Sequence, residues 1–328
     1  MRTRVSAVAI ALVVALVSIG LAQSSKPRPS ASASGARGYT PARTPWGDPD
    51  LQGTFTNSNE YATPLERPAR FAGRTLNDIT DKELASIRES AEQEAIAGLA
   101  PGPRGPDYWW LENLNLSKRA QAWSVVDPPD GRIPALTPQA RARGAGPPRT
   151  SFMGGPFNAP SDFGMLERCI SRGVPGSMIP VMYGNNYEIV QTPGVVVITY
   201  EIIHEVRIIP LDGRPHVGAG VRSHMGDARG HWEGNTLVVE TTNFTAASAY
   251  RGANPDTLRV IERFARVAPD TIAWSATLDD PDTWTRPWTI AMPLTLDTLP
   301  LLPFECHEHN YGLANILRAA RAAEKGAQ

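Results

Sequence analysis

The 328-residue chain balances 32 lysines and arginines against 33 aspartates and glutamates, a formal charge of −1 at pH 7. That balance leaves no basic face able to release counterions from phosphates, which excludes nucleic acid as a partner class. The chain has two cysteines and six histidines.

Residues 1–22 open with Arg2 and Arg4, pass through the apolar run Val8 to Val17 and close on Gly20-Leu21-Ala22. This is the pattern of a secretory signal peptide, with an apolar core too short for a stable membrane span. An uncleaved N-terminal anchor is the alternative reading. Without Arg2 and Arg4 the chain keeps 30 basic against 33 acidic side chains. Residues 23–45, rich in Ser, Ala, Pro and Arg, are poor in large apolar groups and read as a flexible linker.

Residues 46–328 read as one β-rich domain, with two separable domains as the alternative. The first part, 46–165, is expected to be an irregular and helical wrapping segment. Its clearest element is a helix with Thr80 as N-cap and Glu83 three residues on, a capping-box pattern, ending at Gly98. The Pro- and Gly-rich stretch that follows promises few regular elements, and Trp109, Trp110 and Trp123 are candidates to pin it to the rest of the molecule.

The second part, 166–328, changes period. Tyr187–Gln191, Val195–Glu201, His204–Ile209, a strand near Val221, Thr236–Thr242, Leu258–Val267, Thr271–Leu278 and Trp288–Leu294 are rich in β-branched and aromatic residues and broken by turn signals. Closely spaced strands without intervening helices predict an antiparallel meander that closes into a barrel-like, lipocalin-like body. A last helix is expected over Leu313–Glu324. In an exported chain Cys169 and Cys306 should form a disulfide, the alternative being thiolate ligands or a nucleophile.

The strings PWGDPDLQG, DPPDGRIPALTP, RCISRGVPG, HEVRIIPLDGRPH and GDARGHWEGNTLVVETTNF, spread from Trp46 to the C-terminus, resemble those of a large group of secreted bacterial proteins of uncharacterised function. The resemblance implies an exported protein with a β-rich body. Gly53-Thr54-Phe55 also resembles the Gly-x-Trp opening of lipocalin-like barrels, with Phe in place of Trp.

Every histidine lies after position 203, and four of the six fall between Glu201 and Asn235. If the chain reverses at Ile202-Ile203, Glu201 and His204 become neighbours, a carboxylate orienting an imidazole base. Glu262 sits in the row Leu258, Val260, Glu262, Phe264, which alternation places on one strand face. A carboxylate there must find a partner among the arginines or carry a raised pKa; the alternative row puts it in solvent. Arg207, Arg222 and Arg229, with Asp227, are candidates to grip an anionic substrate or to form a structural salt-bridge network. Parity sets Arg207 on the opposite face from His204. Trp232 and Trp274 are candidates for a stacking wall or for core filling.

No His-x3-His, His-Glu-x2-His or third ligand accompanies His224, His231 and His307-x-His309, so no metal is expected. No Gly-x-Ser-x-Gly, phosphate loop or haem-attachment motif occurs, and no cofactor is expected. The reading is an exported, cofactor-free enzyme of the lyase, isomerase or hydrolase type. In it His204, Glu201 and Glu262 move protons on a small organic substrate in a barrel pocket. The alternative is a non-catalytic binder of a small molecule. The sequence assigns no oligomeric state.

Overall fold

The computed structural model describes residues 39–97, 119–146, 155, 157–181, 183–308 and 310–326. Ten antiparallel strands build it: β1 Gly53–Thr56, β2 Val125–Asp127, β3 Asn186–Thr192, β4 Val195–Tyr200, β5 Val206–Pro210, β6 Asp227–Glu233, β7 Thr236–Thr242, β8 Arg259–Ala268, β9 Thr271–Asp279 and β10 Trp288–Leu296. Nine follow the order β5-β4-β3-β1-β10-β9-β8-β7-β6, and β2 adds to β10 beside that path. Hairpin-connected neighbours dominate because short turns permit only antiparallel pairing. Two links are longer: β1 enters from the N-terminal part and bridges β3 and β10, joining the two halves of the meander.

The path nearly closes into a barrel. Its end strands β5 and β6 meet by side-chain packing: a Cβ on Gly230 would stand 2.6 Å from Leu211 Cδ2 and 2.8 Å from Ile209 Cγ2. A residue without a Cβ is what lets the seam approach this closely.

Alternation then fills the interior. Phe55, Tyr187, Ile189, Val196, Ile198, Tyr200, Ile209, Leu237, Val239, Val260, Phe264, Ile272, Trp274, Leu278, Trp288, Ile290 and Leu294 are all buried and form one core. Burying side chains of this size contributes roughly 1.5–3 kcal/mol each before conformational entropy is charged against it. The mainly β, barrel-like expectation holds, and the row from Leu258 through Glu262 to Phe264 faces inward as alternation requires.

Order begins earlier than Trp46: Pro41 and Thr44 are buried, and the Asp50 amide donates to the Ala42 carbonyl at 2.8 Å. Helix α1, Asp81–Ala97, starts as expected, with Thr80 Oγ1 accepting from the Glu83 amide at 3.2 Å. The Glu83 carboxylate accepts from the Thr80 amide, the second half of the capping box, and also pairs with Arg74 at 2.5 Å. Leu84 and Ile87 of this helix join Phe71, Ile79 and the fully buried Trp123 in a satellite core.

That layer is stitched to the outside of β10, where Gln121 Nε2 donates to Ala291 O at 2.6 Å and the Ala291 amide to Ser124 O at 3.0 Å. Trp109 and Trp110 lie outside the described residues, as does the 1–22 segment. Helix α2, Pro138–Arg143, was not expected; Thr137 caps it, proline opens it, and Gly144 ends it in the left-handed region at φ 76°. These are standard start and stop signals in a segment whose Pro and Gly content masked them.

The strand expected near Val221 is absent. That stretch is a loop with one parallel bridge, Ser223 to Phe244, and β6 begins only at Asp227. Helix α3 runs Tyr311–Gly326. Cys169 and Cys306 are bonded across 137 residues, with Cα atoms 5.7 Å apart. No helix among the described residues is long and apolar enough to cross a membrane.

Candidate functional site

Inside the barrel, strand alternation converges a small polar layer on an otherwise apolar core. Glu262 from β8 and Arg207 from β5 are both buried, and Oε2 stands 2.5 Å from Nη1. The contact is a buried ion pair. Trp274 Nε1 donates to Glu262 Oε1 at 3.1 Å, and Arg207 Nη2 donates to Thr241 Oγ1.

Tyr200, the last residue of β4, lies against Arg207, and its ring meets that of Tyr187 edge-on at 5.7 Å. Burial pushes both phenols well above their ordinary value, which keeps them neutral donors. Burial opposes the charge on Arg207, but Glu262 and Tyr200 together outweigh it and raise the guanidinium above its ordinary value. The expected need of Glu262 for an arginine is met, and the arginine is Arg207, which parity separated from His204. Trp274 serves this layer through its indole N–H. Trp232 packs against the core from the barrel seam, with its own N–H buried and without a partner.

The proton-transfer trio is not assembled. The chain does reverse at Ile202–His204, and it reaches that turn by placing Ile203 at φ 65° and His204 at φ 54°. This rotates the exposed His204 ring outward, where Nε2 lies 3.2 Å from both the Leu302 carbonyl and the Phe304 amide. Glu201 turns back instead and accepts from the Asn186 amide at 3.2 Å. Burial raises its pKa, moderated by that bond and one to Leu302. No hydrogen bond joins the Glu201 and His204 side chains among the described residues. Glu262 is inside the barrel, spent on Arg207. The positive φ values at two bulky residues could not be read from the chain, since Ile and His rarely adopt them.

The hairpin arginines divide between two sites. Arg229 donates to Asp227 at 2.6 Å and to the Pro215 carbonyl at 3.0 Å, while Arg222 pairs with Asp256 and caps the Phe244 carbonyl at 3.2 Å. These are structural clamps. His216, which sequence patterning passed over, completes the Asp227 cluster: Nδ1 is 2.8 Å from Asp227 and Nε2 3.3 Å from Glu240. Asp227 is held low against its partial desolvation by bonds from His216, the Val217 amide and Arg229. Among the described residues no group of three or more His, Cys, Asp or Glu is placed to hold a metal. His309 lies outside the described residues.

A cavity of about 730 Å³ opens at the barrel rim. One wall comes from rim loops, with Tyr61, Phe163, Leu166, Val181 and Ile202; the other from the C-terminal strap and α3, with Phe304, Leu313 and Ile316. Tyr183 and Phe304 stack across it at 5.9 Å. Cys306 lines it, and Asn310 Nδ2 donates to the Glu167 carbonyl at 2.8 Å, so the disulfide and this bond together hold the strap over the opening. None of its lining residues belongs to a strand of the barrel. A pocket was expected in the barrel; this one is formed by segments far apart in sequence and outside the wall.

No protein family, curated relative or solved structure matches this chain.

Proposed function

We propose that the protein is an exported binder of a mainly apolar small molecule, held in the rim cavity beneath α3. The observation that carries this reading is the cavity. Its volume lies within the roughly 300–1,000 Å³ of ligand sites, and aromatic and aliphatic side chains make most of its wall. The arrangement departs from lipocalin-like barrels, which hold their ligand in the lumen; here aromatic side chains fill the lumen. Export is supported by the signal-like residues 1–22, by the disulfide and by the resemblance to secreted bacterial proteins. Catalysis by His204, Glu201 and Glu262 loses its support, because Glu262 is buried against Arg207 inside the barrel while Glu201 and His204 meet Leu302 at the rim.

The test uses the neutral fluorophore N-phenyl-1-naphthylamine as a probe. Binding with enhanced emission is expected, and Leu313→Glu/Ile316→Glu should weaken it at least about tenfold by placing charges in the apolar wall. Both positions lie on a helix with no buried residue, so folding should survive. Unchanged probe affinity in the double variant would refute the proposal.

A further inference from the structure

The charged residues that line the rim cavity are of one sign, and that sign selects among apolar ligands if the cavity binds one as proposed above. Glu167 and Glu305 line it, and among the described residues no lysine, arginine or histidine does. The two acids come from opposite walls, Glu167 from the rim loop after Leu166 and Glu305 from the C-terminal strap between Phe304 and Cys306. The disulfide from Cys169 to Cys306 joins those two segments, with Cα atoms 5.7 Å apart. Both acids therefore stand within two residues of a single covalent joint.

Glu305 is exposed, and neither hydrogen bond nor ion pair joins its carboxylate to a described residue. Glu167 is partly buried, and its Oε2 accepts from the Gly164 amide at 2.8 Å. Arg168 follows Glu167 but stands outside the lining and turns its Nε to the Gly164 carbonyl at 3.4 Å. The opposing contribution is the first turn of α3, where Gly312 and Leu313 reach the cavity. A helix N-terminus carries about half an elementary positive charge, and here Asn310 Oδ1 already accepts from the Leu313 amide at 3.4 Å. Two full carboxylates outweigh it.

An anionic amphiphile would give up hydration of its head group here without a cation to pair with, and in front of two like charges. An ammonium head gains the opposite. The carboxylates attract it, and so do the ring faces of Tyr183 and Phe304, whose centroids are 5.9 Å apart. We propose that the ligand of the rim cavity is a cationic amphiphile, an alkyl or aryl ammonium with its head beside Glu305 and Glu167 and its tail toward Leu313 and Ile316. The same cavity discriminates against carboxylate lipids.

Displacement of N-phenyl-1-naphthylamine by decylammonium, 1-decanol and decanoate, which share one chain and differ in head group, tests this at neutral pH and low salt. Decylammonium should bind at least about tenfold tighter than decanoate, with decanol between them, and high salt should compress the difference by screening. Glu167→Gln/Glu305→Gln should bring the two ionic ligands to within about threefold of each other, which a purely structural role for the acids would not do. Should the double variant not fold, Glu305→Gln alone, at an exposed side chain, should shrink the preference several-fold. Decanoate binding as tightly as decylammonium would overturn the inference, as would an undiminished preference in the variants or a bound probe that none of the three displaces. In each of those cases the probe still binds and the cavity reading stands. Absence of probe binding removes the cavity reading, and this inference with it.

Discussion

Arg207 and Arg172 enter the same barrel from different parts of the chain and are handled in opposite ways. Arg207, on a strand, meets Glu262 at 2.5 Å across the interior, together with Thr241 and Tyr200. Arg172, on an irregular crossing segment, meets one backbone carbonyl and leaves Nη1 unpartnered. A guanidinium whose counterion is built into the fold belongs to the architecture; Arg172 is held by a backbone carbonyl alone. The contrast lies in the partners and not in the amino acid.

The largest effect should come from breaking the compensated side. Glu262→Gln leaves Arg207 buried and unpaired, and should cost about 3–5 kcal/mol in urea unfolding. The double variant Arg207→Met/Glu262→Leu should recover most of that loss, since apolar replacement of a buried pair is often neutral. Loss of stability in the double variant equal to that in the single one would show that the pair is not a unit.

Opening the Cys169–Cys306 bond with Cys169→Ser/Cys306→Ser should cost about 2–5 kcal/mol. It should also weaken N-phenyl-1-naphthylamine binding, because the strap carrying Phe304 and Cys306 would no longer be tied to the rim.

Glu60 sharpens the comparison from the acidic side. It is buried, and desolvation lifts its pKa to about 7 despite hydrogen bonds from the Ala120 amide and Thr63 and the field of Arg119. The folded state therefore keeps a proton that the unfolded chain, near its ordinary 4.5, has released. Stability should fall as pH rises from about 4.5 to 7 and then level off, by up to ~3 kcal/mol from this group. Glu60→Gln should flatten that slope in urea unfolding curves measured across the window. The smallest effect is expected at the exposed end of the scale. Asp256→Ala, which removes the mostly exposed partner of Arg222, should change stability by less than about 1 kcal/mol.

Much of the barrel was legible because its physics is local. Alternation put Leu258, Val260, Glu262 and Phe264 on one face of a strand, and the structure chose that row over its alternative as the inner one; the same parity separated Arg207 from His204. Turn signals located most hairpins. The signal weakens where backbone conformation departs from what the residue types favour. Ile203 and His204 at positive φ turned the presumed base outward, and a loop took the place of the strand near Val221. Tyr200 could have been found, since it continues the row Val196-Ile198. Arg172 could not, because no period runs through RCISRGVPG.

By itself the chain determined the class of fold, the alternating rows of its strands, the cysteine pair and the absence of a nucleic-acid footprint. These depend on period, composition and compartment, which neighbours in sequence express. Tertiary structure alone decided which charges meet, which are left without a partner, and where a cavity opens. Those depend on residues such as Ile202, Phe304 and Leu313, brought together only when distant segments cross the same rim.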